Sequence, residues 1–255
     1  MSRFFLEVSY KGTNYSGFQV QENAHTIQAE IEKAIKVLLR EEVSLTGSSR
    51  TDAGVHAVQN FFHFDIVKPE GSLVKNDGYR QFVYNMNAIL PADIAVKNLV
   101  EVADDAHCRF DAVSREYNYY ISRAKDPFLR ERSFFFPYKL DKEKMEEAAD
   151  IVMKYEDFTS FSKRNTQVRS FICRIEKSQW VWKDSYCIYN VKANRFLRGM
   201  VRALTATMLK VGRGRISIDQ FREVIEAKDC TKASFAVPPD GLFLVSVSYP
   251  AEIFL

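Results

Sequence analysis

The period of the apolar residues changes repeatedly along this chain of 255 residues, and that succession limits the fold more than any other property. Phe4 to Tyr10 reads as a strand. Thr26 is placed as a helix cap, and Ile27, Ile31, Ala34, Ile35 and Leu38 follow it at helical spacing. Val43 to Thr46 reads as a short strand, and Val58, Phe62, Phe64 and Ile66 mark one face of a longer one. A helix around Gln81 to Ile89 and a strand near Ile94 to Val102 complete this first group. A second group begins near Phe110. Arg115 to Arg123 alternates, with Tyr117, Tyr119 and Ile121 on one face, and Asp141 to Tyr155 reads as a charged helix. Phe171 to Trp182 and Tyr186 to Ala193 form a predicted hairpin turning at Lys183-Asp184. Arg195 to Val211 is the clearest predicted helix of this group, and Leu242 to Val247 is the last strand.

Strands and helices mixed at this density predict an α+β fold of antiparallel sheets, each packed by helices on one face. The two groups share an order of elements without a sequence repeat. No connecting stretch is rich in Pro or Gly, so the expectation is two fused lobes, residues 1–110 and 111–255. The composition is 46% hydrophobic and 27% charged, which excludes a disordered, collagenous or disulfide-scaffold chain.

The formal net charge of +3 conceals a sharp division. Lys163 to Arg215 holds 13 basic residues against Glu176 and Asp184, which is +11, and the rest of the chain sums to −8. A basic half without a long apolar run suits a polyanion, nucleic acid before membrane. A merely solvated basic surface would show the same count.

Cys108, Cys173, Cys187 and Cys230 form no C-x-x-C pair, which predicts reduced thiols in a cytoplasmic protein. His25, His56, His63 and His107 show no metal-ligand spacing, so no metal is expected. The first residues are too charged for a signal peptide, and no segment is long enough to span a bilayer.

Three segments can carry chemistry. In the loop Ser48 to His56, an ionised Asp52 among small residues can be a fixed nucleophile, with Arg50 to orient it or hold a phosphate and Gly54 to admit a close ligand. The same loop can be a turn that Asp52 caps. Arg195, Arg198 and Arg202 recur three to four residues apart, so on a helix they form a basic stripe away from the apolar face of Leu197, Met200, Val201, Leu204, Met208 and Val211. Such a stripe tracks phosphates or is solvated. Tyr117 and Tyr119 share a face with Arg115 and Arg123, which suits base stacking, although core packing accounts for Tyr119 as well.

Taken together, these segments resemble the TruA family of tRNA pseudouridine synthases. Arg50-Thr51-Asp52-Ala53-Gly54-Val55-His56 matches the motif around that family's aspartate. Gly17-Phe18-Gln19, Asn87 to Ile94 (NAILPADI), Arg109-Phe110-Asp111-Ala112, Arg115 to Tyr119 (REYNY), Asp157 to Phe161 (DFTSF), Phe196 to Arg202 and Gly241 to Leu244 follow its other motifs in order. Ser49 departs from the glycine that usually precedes the motif arginine, and Gly199 and Ala203 stand where the family often has histidine and asparagine.

The resemblance implies an isomerase without cofactor or metal. It would break the N1–C1′ bond of a uridine in the tRNA anticodon arm, at tRNA positions 38, 39 and 40, and rejoin the uracil through C5. It also implies a homodimer in which each chain is an α+β protein of two fused ferredoxin-like (RRM-like) lobes with antiparallel sheets and a central catalytic cleft. Asp52 would be the nucleophile, at C1′ or C6 or by assisting glycal formation. Arg202 would pair with it, Tyr117 would stack on the uracil, Leu242 would close the apolar side, and Arg50 would fill the space of the flipped base or hold its phosphate. Arg195 and Arg198 would contact the RNA backbone. The competing expectation is a non-catalytic tRNA-binding module. An aspartyl phosphotransferase fits poorly, because Asp52 is not in a D-x-D setting and no P-loop is present.

Overall fold

The computed structural model describes residues 2–66, 77–164 and 168–254. The chain forms two compact units, Met1–Val113 with Leu244–Leu255, and Ser114–Phe243.

In the first unit, strand β1 (Ser2–Tyr10) leads to α1 (Ile27–Leu39), the short β2 (Thr46–Gly47), β3 (His56–Ile66), α2 (Asp77–Ile89) and β4 (Ile94–Val102). The predicted cap is present: the Ala29 N–H donates to the Thr26 hydroxyl oxygen, and Ile27, Ile31, Ala34 and Ile35 bury the helix stripe. Arg40 ends α1 in the left-handed conformation. β1 is central, antiparallel to both β3 and β4. Phe4, Phe5 and Leu6 are consecutive and all buried, so both faces of this sheet are covered, not one. Phe4 meets Tyr79 of α2 edge-on at 5.7 Å. On the opposite side Phe5 meets Tyr249 at 5.2 Å and Phe254 at 6.4 Å, both from the C-terminal segment that returns to this unit. The pairing of β1 with β3 slips by one residue between Val8↔Asn60 and Tyr10↔Ala57. Val58 lies in that slip and is 44% exposed, so it leaves the apolar row to Phe62, Phe64 and Ile66.

The second unit holds β5 (Ser114–Ser122), β6 (Phe134–Phe135), α3 (Lys142–Val152), β7 (Ile175–Trp182), β8 (Tyr186–Ala193), α4 (Met200–Gly212), α5 (Ile218–Glu226) and the start of β9 (Leu242–Ser248). β8 lies between β5 and β7, antiparallel to both, and β6 joins β5 in parallel. The hairpin turns where the sequence predicts it, with the Lys183 N–H donating to the Tyr186 carbonyl. Gly212 lets α4 close on α3, since a Cβ there would stand 2.4 Å from the Met145 sulfur.

Three predicted elements change. The strand expected over Val43 to Thr46 is confined to Thr46–Gly47, and the one expected from Phe171 starts at Ile175. The helix expected over Arg195 to Val211 begins only at Met200, because Gly199 takes φ +75° at its N-terminus. Arg195 and Arg198 therefore precede α4, and the three arginines form no helical stripe. α4 is buried nearly all round, with Arg202 half-buried and Lys210 exposed. Among the described residues no helix is long and apolar enough to cross a membrane.

Candidate active site

Asp52 sits on a braced loop of the first unit. Ser48 begins it, donating its N–H to the Phe61 carbonyl and its hydroxyl to Asn60 Oδ1 at 2.7 Å. The fully buried Asn60 amide donates to the Ser49 carbonyl and to the Tyr10 hydroxyl. Tyr10 in turn meets the Thr51 hydroxyl at 2.8 Å, and the Thr51 carbonyl accepts from Phe18 N–H. Beyond Asp52 the chain turns through Gly54 at φ +78°, the Val55 N–H donates to the Asp52 carbonyl, and His56 is buried with its Nδ1 accepting from Gly12 N–H. Thr51 and Val55 are thus buried on either side of a half-buried Asp52. The main chain is fixed while Asp52 itself stays half-buried, so the residue is held in place without being enclosed. His56 is a structural acceptor, and Ser48, Asn60 and Tyr10 form a support that strand periodicity does not reveal.

Arg50 is exposed at the rim of a groove of about 170 Å³ that Phe18, Gln19, Thr46, Arg109 and Phe110 also line. Ser49, the departure from the family glycine, is buried, and its hydroxyl has no hydrogen-bond partner among the described residues.

In the second unit, Tyr117 lies on β5, half-buried, with its ring edge-on to Phe196 at 5.1 Å. Tyr119, two residues along, is wholly buried and donates its hydroxyl to the Pro238 carbonyl at 2.7 Å, so it belongs to the core. Arg202 stands in the first turn of α4 and grips the Val237 carbonyl with Nε and Nη2 at 3.0 and 2.7 Å. Tyr119 and Arg202 together hold the segment that leads to Leu242, which is buried at the start of β9. Gly241 permits this approach, because a Cβ there would stand 2.6 Å from the Tyr120 carbonyl oxygen. Arg198 is exposed and Arg195 half-buried.

The fold also joins residues that the spacing leaves apart. His63, His107 and Cys108 bring their donor atoms within 4.8 Å of one another, a soft-metal set by chemistry. Both imidazoles are already engaged. His63 Nδ1 accepts from the Cys108 N–H, and His107 Nδ1 accepts from the Arg109 and Phe110 N–H groups. The thiol donates to the Thr46 carbonyl. A metal ion would have to displace these bonds, so the set fits a structural brace better than a metal site. Burial, reinforced by His107 and Arg3, pushes the His63 pKa down to about 4, and burial lowers that of His107. Cys173 and Cys187 are buried, with their thiols pushed up to about 11 and about 12 by burial.

A family model described as tRNA pseudouridine synthase matches residues 7–111 and 155–250. Those stretches contain Arg50, Asp52, Arg195, Arg198, Arg202 and Leu242, while Tyr117 falls between them. Proteins named tRNA pseudouridine synthase A match across the whole chain. The one from Parabacteroides distasonis is 46% identical over 254 residues, 100% of this chain and 98% of its own length. That from Bacteroides fragilis is 44% identical, covering 100% of this chain and 99% of its own. That from Staphylococcus aureus (strain bovine RF122 / ET3-1) is 38% identical, covering 96% and 90%. With the braced aspartate loop inside the matched stretch, the chain belongs to the tRNA pseudouridine synthase family.

Proposed function

We propose that this protein isomerises uridine to pseudouridine in the anticodon arm of tRNA in the cytoplasm, with Asp52 as nucleophile. Membership of the family supports the reaction class, and the observation that carries the residue assignment is the half-buried Asp52 on a loop anchored by buried Thr51 and Val55. In this reading the target uridine is flipped out of its stack. The carboxylate acts at C1′ or C6, the N1–C1′ bond breaks, and the uracil turns. A C5–C1′ bond then forms, and the C5 proton passes to solvent while N1 gains one, so no atoms are gained or lost overall.

Tyr117 offers its ring to the uracil, Arg202 supplies a cation to the reacting groups, Leu242 contributes an apolar wall, and Arg50 takes the place of the flipped base or holds its phosphate. Arg195 and Arg198 contact the RNA backbone. The protein acts as a homodimer, each protomer built of two fused ferredoxin-like lobes, a reading supported by the family resemblance.

The test is release of tritium from tRNA labelled at uridine C5, with the modified positions mapped by carbodiimide tagging. Asp52→Asn is expected to abolish release while tRNA affinity persists. Wild-type turnover in that variant would remove Asp52 from the chemistry. Tight tRNA binding by the wild-type protein without any product would leave only an RNA-binding module.

A further inference from the structure

The brace formed by His63, His107 and Cys108 supports one conspicuous surface feature. The turn His107–Asp111 is locked from several sides. The His107 N–H donates to Asp111 Oδ2 at 2.6 Å, while Phe110 and Asp111 N–H groups return to the His107 carbonyl. The His107 ring packs edge-on against buried His63 at 4.6 Å. Cys108 is fully buried, and its carbonyl accepts the Tyr249 hydroxyl at 2.5 Å. A largely exposed ring is presented on that rigid support. Phe110 is 73% exposed, backed by the His107 ring at 4.2 Å and flanked by the Arg109 guanidinium 5.7 Å from its centre. It borders the same groove as Arg50 and the exposed Gln19.

A phenyl ring left largely exposed beside the Arg109 guanidinium, on a rigid support that borders a groove shared with Arg50, suits one partner chemistry: a planar base next to a phosphate. The groove is smaller than the pockets that enclose whole ligands of drug size. We propose that Phe110 is a stacking platform for an unpaired base of the RNA substrate other than the target uridine, with Arg109 meeting a flanking phosphate. This rests on the RNA reading above. Because stacking depends on a π face and not on a base edge, the platform tolerates any base identity.

The experiment compares wild-type protein with Phe110→Ala and Phe110→Trp, using a tRNA transcript as probe. Binding, salt dependence, tritium release and sedimentation are read separately. Phe110→Ala is expected to raise Kd by about 5- to 100-fold without changing the salt slope, and Phe110→Trp to restore binding. A Kd for Phe110→Ala within about twofold of wild type overturns the proposal, as does a Trp variant no better than the Ala variant. Loss of a dimer in Phe110→Ala with unchanged Kd also overturns it, since the ring would then be covered by a second copy. Tritium release is scored apart from binding: absent release with Phe110-dependent binding removes the isomerase reading and keeps the platform. If the wild-type protein binds no tRNA, both fall.

Discussion

Tyr10 and Thr51 meet hydroxyl to hydroxyl at 2.8 Å, although 41 residues separate them, and this bond pins the residue immediately before Asp52 to the central strand. The Tyr10 oxygen also accepts from the Asn60 amide, so one phenol serves two buried groups. Tyr10→Phe leaves both short of a partner. The variant is expected to lose about 1–2 kcal/mol of stability and to lower kcat more than it raises the Kd for tRNA. Urea unfolding and single-turnover tritium release check the two effects, and an unchanged kcat would show that the bond does not position Asp52.

Arg202 makes a forked grip on the Val237 carbonyl through two nitrogens of one planar group. Lysine keeps the charge but cannot reproduce the fork. Arg202→Lys is therefore expected to reduce kcat at least about tenfold, equivalent to ~1.4 kcal/mol of barrier. Equal rates for the two proteins would mean that charge alone suffices there.

Ser49 carries a buried hydroxyl with no partner among the described residues. Removing an unsatisfied buried polar atom relieves a desolvation cost of about 1–3 kcal/mol. Ser49→Ala is expected to raise the thermal midpoint by a few degrees without altering tRNA affinity. A lowered midpoint would mean that the hydroxyl makes a stabilising bond in solution.

His63 titrates near 4 in the folded protein and near 6.5 when unfolded. Between those values the unfolded chain binds the extra proton, so stability falls as pH drops from about 6.5 to about 4 and is fully present above that window. Burial of His107 acts in the same direction. Denaturant midpoints at pH 7 and pH 5 are expected to differ more for the wild type than for His63→Gln. Identical differences would assign the acid sensitivity to other groups.

Local features of this fold were legible from the residues alone. The Thr26 cap, the α1 stripe and the turn at Lys183-Asp184 each depend on neighbours a few positions apart. The α4 boundary was not, because Leu197 continues the apolar spacing although Gly199 breaks the helix through a dihedral angle that spacing does not encode. The aspartate loop was legible only as a motif. Its support comes from Tyr10 and Asn60, polar groups inside strand patterns whose partners lie far along the chain. Likewise, nothing in the alternation of His63 announces Cys108, since contact across 45 residues is a property of topology.

The return of Leu244–Leu255 to the first unit has a consequence for biosynthesis. Tyr249 covers Phe5 and Phe61, and the Val247 N–H donates to the Gln59 side-chain carbonyl. While the ribosome is still at work, the segment bearing Asp52 lacks this cover, whereas Ser114–Phe243 is contiguous and can close on itself first. The unit that bears Asp52 is thus completed only after the unit that follows it in sequence, and removing residues 244–255 would strip one face of its sheet.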